Sequence, residues 1–117
     1  MKKYDEEAAT ICGASAYQQK FYLNPAYEKL PQEVKNELQI LCVSFVEDVG
    51  GVLTIAFDED GRPQFIVRAA KLDPAFDEIG SELKIKQLQA EKAELMEQLT
   101  LFYRFFILGE DPGESPS

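Results

Sequence analysis

From Val34 onward the apolar residues Val34, Leu38, Leu41, Cys42, Phe45, Val46 and Val49 recur at steps of three and four, the period of an amphipathic helix. Pro31 suits the first helical position and Gly50-Gly51 ends the pattern, which predicts a helix over 31–49, about 28 Å long. The period then changes. "VLTIAF" at 52–57 and "PQFIVRA" at 63–69 are rich in β-branched and aromatic residues and flank "DEDGR", the signature of a β-hairpin. A second helical pattern runs from about 82 to 108, with Ser81 as N-cap and Gly109 just past the end. Its apolar positions Ile85, Leu88, Leu95, Leu99, Phe102 and Phe106 form a seam in which Lys92 fills the one vacant place. At about 40 Å this helix would cross a domain of this length and overhang it.

The first 24 residues carry two conflicting signals. Asp5 as a cap, followed by Ala8, Ile11, Cys12, Ala16 and Leu23, fits a helix from Glu6, whereas Tyr17, Phe21 and Tyr22 before Asn24-Pro25 favour a strand over 16–23. The strand is the reading adopted. "KLDPAFDEIGS" reads as a polar connection with a turn at Asp73-Pro74, and the acidic, Gly- and Pro-rich residues 110–117 as a disordered tail. These elements add up to a single α+β domain over 1–109. A small antiparallel sheet centred on the 52–69 hairpin is packed by the amphipathic helix 31–49 and the long C-terminal helix.

Charge narrows the partners. The 117 residues include 21 acidic and 12 basic side chains, a formal charge of −9, which repels phosphate backbones and anionic bilayers. No nucleic acid and no membrane is expected. The longest uncharged apolar stretch, "LQILCVSFV", is far below the roughly 20 residues that span a bilayer. The start shows no apolar core of a secretory signal, so the expected compartment is the cytoplasm. Histidine is absent, which removes the usual general base and the commonest zinc ligand. With only Cys12 and Cys42, outside any CxxC spacing, packed thiols are expected, with no metal, no cofactor and no enzymatic constellation.

Four local groups admit a chemical reading beside a plain one. Asp58, Glu59, Asp60 and Gly61 look like a fragment of a calcium loop, but the long ligand run of such a loop is cut short by Pro63 and a strand, so a solvated turn is preferred. Gly80, Ser81 and Lys84 offer a helix start, a hydroxyl and a cation for an anion, opposed by Asp77, Glu78 and Glu82. The adjacent pair Glu47-Asp48 diverges by about 100° on a helix and reads as a charged helix end. Tyr17, Phe21, Tyr22, Phe102, Tyr103, Phe105 and Phe106 either line a pocket or fill the core, and core packing is the plainer use. The seam Ile85, Leu88, Lys92, Leu95 and Leu99 is the candidate interface with a second chain.

The stretches "CGASAYQQKFYLNP", "LQILCVSFVEDVGGVLTIAFDEDG", "DEIGSELKIKQLQAEKAEL" and "YRFFILGE" together resemble a family of short uncharacterised Firmicutes proteins classed as a domain of unknown function. That resemblance implies a bacterial cytoplasmic protein and brings no activity, ligand or catalytic residue. The order helix, hairpin, helix is similar to the roadblock and longin scaffolds at the level of element order alone. The expected function is a non-catalytic interaction or scaffold domain, homodimeric through the long helix or bound to another protein. The rival is a small-ligand or anion-binding regulator that uses the aromatic residues and the turn at Gly80-Lys84.

Overall fold

A computed structural model of the chain describes residues 6–109, and side-chain surroundings from residue 8 onward. The expected tail at 110–117 and the Asp5 cap lie outside the described residues. A single helical turn, α1 (Glu6–Ala9), leads into β1 (Thr10–Ser15) and β2 (Lys20–Leu23). A short 3₁₀ turn at Pro25–Tyr27 is followed by α2 (Gln32–Val49), β3 (Val52–Phe57) and β4 (Pro63–Arg68). The chain ends in α3 (Glu78–Glu91), α4 (Ala93–Phe102) and a π-helical turn at Tyr103–Ile107.

The four strands form one antiparallel sheet in the order β2-β1-β3-β4. The hairpin is where the pattern placed it, while the expected strand over 16–23 is corrected to Lys20–Leu23, with a turn at 16–19 and a further strand at Thr10–Ser15. β1 forms because it lies between two partners: Cys12 sits opposite Leu23 on one side and Ile55 on the other. This cross-strand pairing outweighs the helical signal of the Ala-rich start. The shift of register between Thr10 and Cys12 marks a bulge, and both Ile11 and Cys12 are buried beside it.

All seven apolar seam positions of α2 are buried, and the helix packs across β1 and β3. It faces Cys12, Ala14, Leu53, Ile55 and Phe57, with Phe21, Leu23, Phe65 and Val67 completing the same face of the sheet. Leu95, Leu99, Phe102 and Tyr103 fill the rest of that core. Phe57 stacks on Tyr103 with ring centroids 4.0 Å apart, and Tyr27 meets Phe102 at 5.7 Å.

The expected single helix over 82–108 is corrected in two ways. It starts earlier, at Glu78 with Asp77 as the capping residue, and it is interrupted at Lys92, whose φ −108° and ψ 24° leave the helical region. The break separates two packing tasks: α3 lies against α2, whereas α4 reaches β4 and the core. Ion pairs Lys84–Asp48 at 2.6 Å and Lys92–Glu37 at 3.0 Å show α3 running antiparallel to α2.

The turn from α2 into β3 depends on glycine. Gly51 has φ +74°, and a Cβ there would meet the Arg68 carbonyl oxygen at 2.6 Å and the Phe76 ring at 3.1 Å. Gly61, in the hairpin turn, has φ +80° with nothing within 4 Å. Gly61→Ala is therefore expected to cost about 1–2 kcal/mol, the left-handed backbone penalty alone. Gly51→Ala, which adds a backbone clash, should cost about 2–5 kcal/mol in chemical denaturation. Equal costs would show that the space around Gly51 is not confined.

Candidate functional site

Gly80, Ser81 and Lys84 do not converge on a vacant anion cradle. The Asp77 carboxylate already caps the start of α3, accepting the Gly80 N–H at 2.9 Å, and a Cβ on Gly80 would collide with it. Ser81 lies one turn inside the helix, buried, with its hydroxyl donating to the Glu78 carbonyl at 2.9 Å. Lys84 points to Asp48 on α2. The positive end of the helix dipole is thus met by the chain's own carboxylate.

The seam of the C-terminal region divides at Lys92. Leu95 and Leu99 are core residues of this chain, and Ile85 and Leu88 are half-buried against the same core. Lys92 donates to Glu37 across the α2–α3 groove. These five residues hold the chain's own helices together. What the seam hides is a second stripe on α3. Ile79, Leu83, Lys86 and Ala90 fall within about 60° of one another on the face opposite Ile85 and Leu88. Ile79 is 75% exposed and Leu83 63%, and the only fully buried residue of α3 is Ser81. The spacing 79, 83, 86, 90 was the signal available in the sequence; the stronger seam beside it masked it.

"FDEDG" is a turn built by its first acid. Asp58 Oδ1 accepts the backbone N–H groups of Asp60 at 2.9 Å and Arg62 at 3.0 Å, while Oδ2 accepts Gln64 Nε2 at 3.0 Å. The Arg62 N–H, aided by that of Asp60, the Arg62 charge and Gln64, holds the Asp58 carboxyl below its ordinary value of 3.8. Glu59 and Asp60 are exposed. Among the described residues no group of three His, Cys, Asp or Glu side chains is placed to hold a metal ion.

The Cys12 and Cys42 sulfurs approach to 3.8 Å between β1 and α2, both buried. The shared hydrogen bond with Cys42, then burial, push the Cys12 thiol far up, which suits packing and opposes nucleophilic use. The aromatic residues separate into two groups. Phe102 and Tyr103 are core, with Phe21 and Phe105 half-buried, whereas Tyr17, Tyr22 and Phe106 are exposed. Tyr17 acts at the rim: its hydroxyl donates to Asp73 at 2.6 Å and accepts the Ala70 N–H at 2.8 Å. The bond to Asp73 raises the Tyr17 pKa, against the Ala70 N–H, and lowers that of Asp73.

Asp58 carries a pH signature. Because its folded-state pKa is depressed, its stabilisation is present above the ordinary carboxylate range and is lost as pH falls through the folded value. Asp58→Asn keeps an acceptor oxygen and removes the charge. Denaturation from neutral pH to pH about 2 is expected to show a stability gap between the two proteins that closes in acid. A gap independent of pH would show that the charge contributes nothing to the turn.

No helix among the described residues is long and apolar enough to cross a membrane. A family model described as "Family of unknown function (DUF6145)" matches residues 8–111. No curated protein and no solved structure matches the chain.

Proposed function

The chain belongs to the family of unknown function DUF6145, and from that premise we propose a non-catalytic protein-interaction domain that self-associates through α3. The observation that carries this reading is the outer stripe of α3, Ile79 and Leu83 on the side turned away from α2. A helix of 14 residues that buries only a serine completely gains little from its own chain, and amphipathic helices take most of their stability from burial.

A second copy suits the stripe. Glu82 and Lys86 flank Leu83, and in an antiparallel pair of α3 helices each Glu82 comes beside Lys86 of the second copy. Such reciprocity is what a two-fold interface requires, and opposite charges beside an apolar seam fix register and orientation. The expected cytoplasmic setting belongs to the same proposal. The rival, an anion-binding regulator at Gly80, Ser81 and Lys84, has Asp77 standing where the anion would bind and Lys84 engaged by Asp48.

Light scattering on the purified protein is expected to give twice the 13.2 kDa chain mass, and Leu83→Asp, at an exposed position, should give a folded monomer. Leu95→Asp should instead unfold the domain, since Leu95 is in the core. A monomeric wild type at high concentration, or a dimer that survives both Ile79→Asp and Leu83→Asp, overturns the assignment of α3.

A further inference from the structure

The helices cover one face of the sheet. On the other face the outward positions are Gly13 and Ser15 of β1, Lys20 and Tyr22 of β2, Val52, Thr54 and Ala56 of β3, and Gln64, Ile66 and Arg68 of β4, of which Ala56 is itself buried. This follows from the register together with the inward burial of Cys12, Ala14, Leu53, Ile55 and Phe57 and the inward packing of Phe21, Leu23, Phe65 and Val67. Two complete rows cross this face. One reads Tyr22, Gly13, Thr54, Ile66 and the other Lys20, Ser15, Val52, Arg68.

An antiparallel sheet can leave one face to solvent, but a solvated face in a chain of charge −9 would ordinarily share its carboxylates. None of these ten positions carries one. The charged residues are Lys20 and Arg68, both exposed, at opposite ends of one row, and neither makes an ion pair among the described residues. Between and beside them lie Val52, Tyr22 at 55% exposure and Ile66. Gly13 leaves a trough between Tyr22 and Thr54, part of a shallow cavity of about 570 Å³.

We propose that this face docks an acidic amphipathic helix of a partner protein, laid across the strands with carboxylates on Lys20 and Arg68. The inference rests on the interaction-domain reading and not on the α3 dimer. Charge selects the occupant: a second copy stacked on this face about a two-fold axis between β1 and β3 would set Lys20 over Arg68, a repulsive contact. A helix satisfies its own backbone groups, as α2 does on the opposite face, whereas an extended segment lying on a sheet face would leave its own unpaired. Lys20 and Arg68 lie three inter-strand steps apart, about 14 Å, between the spacings of seven and eleven residues, about 10.5 and 16.5 Å, that bring two carboxylates to the same side of a helix.

The probe is an amidated, helix-forming peptide of about 14 residues with leucines on one face and glutamates on its flanks, set against the same peptide with lysine for each glutamate. Titration of the isotope-labelled full chain is expected to shift the amides of β1, β2, β3 and β4 with the glutamate peptide only. The affinity should fall about tenfold or more in the double variant Lys20→Glu/Arg68→Glu and weaken with salt. If that variant loses its amide dispersion, Lys20→Gln/Arg68→Gln makes the same comparison, with a smaller loss expected. Leu83→Asp should bind as wild type, which separates this inference from failure of the dimer. No shift on the sheet with the glutamate peptide, equal binding of the lysine peptide, shifts confined to α3, or sheet shifts that follow protein concentration without any peptide would each overturn the proposal.

Discussion

Seven residues of α2, from Val34 to Val49, bury their side chains in a single core with one face of the sheet, and every other element is arranged around that contact. At about 1.5–3 kcal/mol for each fully buried aliphatic or aromatic side chain, this seam outweighs the polar contacts of the molecule. The Gly50-Gly51 turn returns the chain onto the sheet as β3, so that helix and strand share their burial. β1 then fits between β2 and β3, with Cys12 against Cys42.

The same contact sets what is left uncovered. α2 and α4 occupy one side of the sheet, and α3, on the other side of the break at Lys92, packs on α2 with Ile85 and Leu88 turned to the core. Two surfaces result, the outer stripe of α3 and a sheet face whose outward strand positions carry no carboxylate, with Asp58 reaching it only at Gln64. Their chemistry differs. The stripe pairs an acid and a base around Leu83 and suits a copy of itself, whereas the charged strand positions of the sheet face, Lys20 and Arg68, are both cations. The α2–α3 groove between them is bridged by Lys84–Asp48 and Lys92–Glu37, partly exposed pairs of the kind that contributes little to stability and whose positions set how α3 lies on α2.

Legibility in the sequence followed the range of the interaction. The helix over 31–49 and the hairpin were plain because period, proline and paired glycines act over a few residues. β1 was obscured because its determinants are Ile55 and Leu53, some forty positions away, while its own sequence "TICGAS" is small and weakly patterned. The earlier start of α3 turned on the choice between Asp77 and Ser81 as the cap, two residues equally suited by type. The break at Lys92 had a visible trace, the one polar residue in the seam, but the partner it meets, Glu37, lies on another helix. Of the candidate sites, Lys84 was visible as a cation, and Asp48 as its partner was not.

The central claim is that the described residues cover the sheet on one side only. Relaxation of side-chain protons by a soluble paramagnetic agent measures this directly. Strong effects at Tyr22, Val52, Thr54 and Ile66, with Leu53, Ile55, Phe65 and Val67 shielded, are the predicted result. Equal shielding of the two sets along β3 and β4 would contradict the account.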